Sequence, residues 1–290
     1  MTRLPTSSTI PIASLLSQTP SPLSFIFASH SRWPLPPRAL PTTSNERLTI
    51  SVLDSSFNPP HAAHQALSDL GNETAQLLAF TVSNADKKLD ESELYHRLEM
   101  IRALAVDMHE RSESRGGKWE NVAVAVMDAP TFTKKSQVLN EEITKLLKEE
   151  HGVDEGEVPT PEFVFPVGWD TVIRIFAPRY YPPPGPDLST SMETFLSTNR
   201  SSLLCARRGT VSTSSSPSHE EEEFLSRPQV DKWVKEGKLE MFDLDEKVRG
   251  ISSTEIRKAV KAGDWDKVRE MVAYPRVVDV IKEEGLYLEK

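Results

Sequence analysis

Leu48-Thr-Ile-Ser-Val-Leu53 runs directly into Asp54-Ser-Ser-Phe-Asn-Pro-Pro-His61-Ala-Ala-His64, and this stretch decides the fold. The first six residues are apolar and β-branched, as in a short buried strand. A turn follows over Asp54–Pro60. His61 to Leu70 then reads as a helix closed by Gly71-Asn72, with Pro59 and Pro60 fixing its entry. The same alternation repeats along the chain. Ala75–Val82 is a second predicted strand. Glu91–Arg111 is helical, with Leu94, Leu98, Ile101, Ala105 and Met108 on one face. Val122–Met127 is a strand and Thr133–Lys148 a helix; Phe163–Val167, Ser202–Ala206 and Leu239–Leu244 are later strands. Three helices close the chain, near Ser252–Ala262, Asp264–Val272 and Arg276–Glu284. Strands separated by helices imply βαβ crossovers. The expected fold is therefore α/β: a Rossmann-like, doubly wound, mostly parallel sheet with C-terminal helices. In such sheets ligands sit at the carboxyl ends of strands, near the switch in strand order.

The chain has 290 residues, 38% of them hydrophobic, which suffices for one large domain or two small ones. Its formal net charge of -9 argues against a general nucleic-acid binder, which needs surplus Lys and Arg. A nucleotide substrate needs only a few local cations. One cysteine, Cys205, excludes an internal disulfide and suits a reducing compartment. No apolar run is long enough to span a bilayer, so no membrane partner is expected.

Residues 1–45 carry no Asp or Glu and three Arg. That composition fits a mitochondrial transit peptide. It also fits an extension packed on the domain, a docked helix for example, through Ile12, Leu15, Leu16, Leu23, Phe25, Ile26 and Phe27. The extension is preferred because a transit peptide should carry more Arg on one helical face. The main domain is assigned to residues 46–290, with a flexible low-complexity insertion at about 209–223, Gly209-Thr-Val-Ser-Thr-Ser-Ser-Ser-Pro-Ser-His-Glu-Glu-Glu-Glu223. Tyr180–Pro186 is expected to be a rigid loop. The compartment is left as cytoplasmic and/or nuclear, with a mitochondrial location open from the acid-free N-terminus.

His61 and His64 are three apart and share a face at a helix start, where free N–H groups and the dipole attract anions. Two imidazoles there can donate to phosphate oxygens. A zinc site or a structural couple would use the same pair, and a bare HxxH does not separate them. A second motif, Gly250-Ile-Ser252-Ser253-Thr254-Glu255-Ile256-Arg257, opens another helix with hydroxyls, N–H groups and a guanidinium. It suits the β- and γ-phosphates of a nucleotide, which Arg grips with two parallel hydrogen bonds. It also reads as an S-x-x-E capping box followed by an exposed Arg.

Together, in this order, the two motifs resemble the HxGH and ISSTxxR signatures of the nucleotidyltransferase superfamily. The likeness extends to nicotinamide mononucleotide adenylyltransferases. Ser83-Asn-Ala-Asp86-Lys87-Lys88 looks like their loop after the second strand, and Tyr95-His-Arg97-Leu-Glu-Met100 like the helix that follows. Gly168-Trp-Asp170 looks like their G-x-D, and Tyr274-Pro-Arg-Val-Val-Asp-Val-Ile-Lys-Glu-Glu-Gly-Leu-Tyr287 like their closing helix. The match covers roughly residues 48–290 and is similar above all to the divergent fungal branch, which carries DSSFNPPH after the first strand.

The resemblance implies transfer of AMP from ATP to nicotinamide mononucleotide by in-line attack, with no covalent intermediate and no general base, giving NAD and pyrophosphate. It assigns catalysis to His61, His64, Arg257 and Lys87. Nucleotide contacts fall to Ser55, Ser56, Phe57, Asn58, Lys88, Gly168, Asp170, Ser252, Ser253 and Thr254. His64, with His61, meets the α-phosphate; Ser252, Ser253 and Arg257 hold the β- and γ-phosphates; Lys87 or Lys88 adds charge opposite. Mg²⁺ bridges phosphate oxygens and keeps mostly waters, with no protein metal ligand. Asp170 accepts from a ribose hydroxyl, or caps a helix over Thr171–Phe176, or both. ATP and nicotinamide mononucleotide are the implied partners, and a homo-oligomer is compatible with the family.

Departures touch the phosphate and ATP approach and, more seriously, the acceptor side. Ala63 stands where HxGH has Gly, and Asp54-Ser55-Ser56 replaces a Gly-containing turn. Asp128-Ala-Pro-Thr131-Phe132-Thr133 stands where typical members have a Trp-Glu pair; Phe132, or Tyr180 or Tyr181, would have to stack on the base. ATP hydrolysis, another phosphorylated acceptor, and a non-catalytic nucleotide-binding adaptor remain as alternatives.

Overall fold

The computed structural model describes residues 21–37, 47–82, 91–113, 118–153, 158–207, 218–272 and 274–288. Seven strands form one sheet: β1 (Leu23–Ala28), β2 (Thr49–Asp54), β3 (Ala75–Thr81), β4 (Val122–Met127), β5 (Glu162–Gly168), β6 (Ser201–Ala206) and β7 (Leu239–Phe242). Their spatial order is β1-β4-β3-β2-β5-β6-β7. Every neighbouring pair from β4 to β7 is parallel. The strand order reverses at β2, which is the hallmark of a doubly wound α/β fold.

β2 pairs with β5 only over Thr49↔Glu162 to Ser51↔Val164, while it follows β3 as far as Asp54↔Ala79. The carboxyl ends of β2 and β5 are therefore not hydrogen-bonded to each other. Leu67, after β2, packs against one core and Trp169 and Val172, after β5, against the other, so the chain diverges to opposite faces, the arrangement that leaves a crevice at the carboxyl ends of such strands.

Alternation along the strands feeds two cores. Ile50, Val52, Leu77, Ala125 and Phe165 face α3 (Phe132–Glu149), α4 (Trp169–Ile175), α5 (Leu188–Met192) with its π-helical continuation Glu193–Thr198, and α7 (Pro228–Lys235). Leu53, Leu78, Phe80, Val124 and Val126 face α2 (Glu91–Glu113), α9 (Ser253–Lys261), α10 (Trp265–Val272) and α11 (Pro275–Glu283). The predicted apolar face of α2 is buried as expected: Leu98, Ile101, Ala105 and Met108 are nearly inaccessible. Two short helices complete this layer, α1 (Ala62–Ser68) and α8 (Glu246–Arg249). Among the described residues, no helix is long and apolar enough to cross a membrane.

Two sequence expectations need revision. The described part of the N-terminal extension does not dock as a helix; Leu23–Ala28 is an edge strand antiparallel to β4, with a bulge between Phe25 and Phe27. Leu-Ser-Phe-Ile-Phe-Ala has the β-branched and aromatic content of a strand; alternation sends Phe25 into one core and Ile26 into the other, and the bulge sets Phe27 on the same side as Ile26. The acidic end of the insertion expected to be flexible is a helix, α6 (His219–Leu225). Ser218 caps it by accepting from the Glu221 N–H at 3.2 Å, and buried Glu221 pairs with Arg207 Nε at 2.8 Å. Residues 209–217 lie outside the described residues.

Candidate functional site

The two motifs meet in space. Ser253 Oγ donates to the Pro59 carbonyl at 2.9 Å, and Arg257 Nη1 to the Asn58 carbonyl at 2.6 Å. Residues nearly two hundred positions apart thus lock the loop that leaves β2 to the start of α9. Tyr287, in the turn beyond the closing helix, adds a third tie by donating from its hydroxyl to Asn58 Oδ1 at 2.6 Å. The Tyr274 hydroxyl contacts Gln65 Oε1 of α1, so the C-terminal helices clamp both the loop and the helix it enters.

His61 is the N-cap of α1, in extended conformation, and His64 sits one turn in. The His61 N–H donates to His64 Nδ1 at 3.1 Å. A backbone N–H can only donate, so Nδ1 must accept and the neutral imidazole carries its proton on Nε2. That Nε2–H points at Ser55 Oγ, 3.0 Å away. The two imidazoles lie against each other at a tilt, with centroids 3.9 Å apart, and Phe57 lies against His64 at 4.9 Å. Burial pushes the His61 pKa down to about 4. Burial, and then the neighbouring His61, hold His64 well below the usual imidazole range. Both rings are neutral at physiological pH. They can offer an anion one N–H each but no charge; among the described residues of the two motifs the cation is Arg257. His61 Nδ1 is buried with no partner among the described residues, a polar atom still open to a ligand or water.

The loop between is tightly held. Phe57 is fully buried at φ 44, a left-handed conformation that costs a side-chain-bearing residue about 1–3 kcal/mol and persists because its ring is anchored in the core. Ser56 is exposed, and Ser55 and Asn58 are half-buried. Ala63 is buried on α1.

The α9 start serves as both cap and clamp. Ser252 Oγ accepts from the Glu255 N–H at 3.3 Å, but the Glu255 carboxylate turns to Lys258 at 2.8 Å. The arrangement is a serine cap without the reciprocal half of a capping box. Arg257 is not a free exposed side chain: Nη2 donates to Thr254 Oγ1 at 3.1 Å while Nη1 holds the loop. Ser252 and Thr254 remain exposed.

Across the crevice, Gly168 ends β5 and is itself the N-cap of α4, which begins at Trp169. Asp170 is therefore not a helix cap. It lies in the first turn, exposed, where the helix dipole favours a carboxylate. α1 packs beside β5, bringing this edge and the histidine pair to one side of the sheet. Lys87 and Lys88 lie outside the described residues.

The aromatic candidates for base stacking are engaged elsewhere. Phe132 packs edge-on against Phe165 and Phe195, with centroids 5.6 and 6.1 Å away. Tyr181 donates to the Ile175 carbonyl at 2.7 Å and packs on the core, and Tyr180 is covered by the Arg179 guanidinium.

Sequence reading missed a buried charge pair at the same edge. Lys135 of α3 meets Asp54 Oδ2 at 2.5 Å, and Thr81 donates to Asp54 Oδ1 at 2.7 Å. The available signal was Asp54 itself: it continues the inward alternation of Ile50 and Val52, so its carboxylate needs a partner. Nothing local separates Lys135 from its neighbour Lys134. Among the described residues no group of three or more His, Cys, Asp or Glu could hold a metal ion.

The fold thus defines a doubly wound α/β protein with a crevice at its strand-order reversal, flanked by two helix starts. No protein-family model matches the chain. A protein of Schizosaccharomyces pombe described as "Putative nicotinamide mononucleotide adenylyltransferase" is 27% identical over 247 residues, covering 82% of this chain and 87% of that protein. A solved structure of Thermotoga maritima TmcAL bound with alpha-thio ATP aligns at a TM-score of 0.33 and 14% identity. It covers 82% of this chain, which spans 56% of that one.

Proposed function

We propose that the chain is an adenylyltransferase that transfers AMP from ATP to nicotinamide mononucleotide, releasing pyrophosphate and forming NAD. The observation that carries this reading is the junction of Ser253 and Arg257 with the Asn58–Pro59 loop, which sets two helix starts around one crevice. The description of the yeast relative supports the choice of substrates.

An acceptor phosphate is already ionised, so the reaction needs alignment and charge stabilisation rather than a base. The neutral histidines fit that demand. His64 would offer its Nε2–H to an α-phosphate oxygen by exchanging its Ser55 contact, with His61 beside it. Exposed Ser252 and Thr254, the free N–H groups of the α9 start and the Arg257 guanidinium would receive the β- and γ-phosphates. Lys87, Lys88 and Asp170 retain the roles that the family resemblance gives them. Mg²⁺ would be held by the nucleotide's own phosphates and by water.

The packing of Phe132 favours a second reading, in which the nucleotide site is kept and the acceptor differs. With this ring packed against the core, the loop Asp128–Thr133 lacks a free aromatic to stack on a pyridine. Incubation with ATP, Mg²⁺ and nicotinamide mononucleotide separates the cases. NAD with equimolar pyrophosphate is the expected outcome. Phosphate release independent of acceptor would replace it with ATP hydrolysis, and ATP binding without product with an adaptor.

A further inference from the structure

Asp54 and Lys135 take no part in the phosphate contacts proposed above, yet both side chains are largely withdrawn from water, at 13% and 6% exposure. Their contact joins the end of β2 to the first turns of α3. Thr81 binds the other carboxylate oxygen from the end of β3, and the Phe132 ring lies 4.6 Å from the ammonium. Three elements are thus tied at one carboxylate.

A buried ion pair is a weak source of stability, because desolvation offsets the attraction. It does fix geometry. Two donors from different elements hold the Asp54 side chain in one orientation, and with it the direction in which the chain leaves β2. The next residue is Ser55, whose Oγ lies 3.0 Å from His64 Nε2. The ammonium also neutralises a carboxylate that would otherwise repel an incoming polyphosphate.

We propose that Lys135 is a positioning residue for His64, acting through Asp54 and Ser55. This rests on the reading of His64 as a phosphate contact.

The test uses the full chain labelled with ¹⁵N-histidine, in which long-range ¹H–¹⁵N correlations report the His64 tautomer. The wild type is expected to show one tautomer, protonated on Nε2, with a slowly exchanging proton. The double variant Asp54→Asn/Lys135→Met removes both charges together, leaving no unpaired buried ion. It should speed exchange of the Nε2 proton and shift its resonances, while the His61 N–H keeps the tautomer, and bind MgATP roughly tenfold more weakly by calorimetry. Thr81→Val, which removes one anchor and no charge, should move the spectrum the same way by less. Unchanged His64 signals in both variants would overturn the proposal. If the double variant does not fold, unchanged signals in Thr81→Val alone would do so. A wild type that binds no ATP would end the functional reading instead, while the spectra would still decide the role of Lys135.

Discussion

At the scale of single residues, the His61 and His64 imidazoles lie against each other, and the His61 main-chain N–H fixes the His64 ring. Their folded pKa values lie below the unfolded value of about 6.5, so between the two the unfolded chain binds more protons. Their contribution to stability is complete above about pH 6.5. It falls as the pH drops, until His61 protonates in the folded chain at about 4. His61 alone should account for about 3 kcal/mol of acid destabilisation, to be read from urea midpoints across pH 4 to 7. A flat stability profile there would contradict the burial of the pair. His64→Ala and Arg257→Ala should each lower turnover by about 100- to 1000-fold. Arg257→Lys should recover only part, because an ammonium cannot hold the Asn58 carbonyl and Thr254 together. Steady-state kinetics on the three variants decide this, and undiminished NAD formation in both alanine variants would remove these residues from the mechanism.

At the scale of elements, each helix start around the crevice is stabilised separately. Ser252→Ala should cost about 1 kcal/mol of stability through the lost α9 cap, measurable by chemical denaturation. The charge pair behaves differently. Lys135→Met alone strands a carboxylate among β2, β3 and α3, and should cost about 3–5 kcal/mol. The Asn/Met double variant should regain most of that. A single variant as stable as the wild type would mean that water reaches Asp54. The crevice itself comes from connectivity: after β2 the chain turns to one face of the sheet and after β5 to the other.

At the scale of the whole molecule, β1 covers the outer edge of β4 and sends Leu23, Phe25 and Ile26 into the two cores. Full burial of such side chains contributes about 1.5–3 kcal/mol each. A chain lacking residues 1–28 should therefore melt at lower temperature and aggregate through the bared β4 edge, seen by thermal scanning with light scattering. Unaltered melting would show that the edge strand is dispensable. The C-terminal helices are equally global: Arg276 bridges to Asp107 and Glu110 of α2, while Tyr274 and Tyr287 reach α1 and the site loop.

Much of this architecture was legible beforehand, because it depends on local periodicity. The strands β2 to β6, the long helices α2 and α3 and the three closing helices follow from alternating or 3.6-residue apolar patterns, which record burial directly. The edge strand was not, since Leu23–Ala28 sits among Ser and Pro and gains its hydrogen bonds only from β4, almost a hundred residues away. Likewise α6 reads as an acidic run until Arg207 neutralises Glu221. The residues of both motifs stand in the sequence unaided, as does their place after a strand and at a helix start, since caps and turns are short-range chemistry. What required tertiary structure was every statement about their partners. That Arg257 grips a backbone carbonyl, that the histidines are neutral and tautomerically fixed, and that Lys135 is buried against Asp54 depend on burial and on contacts between distant segments, which periodicity does not encode.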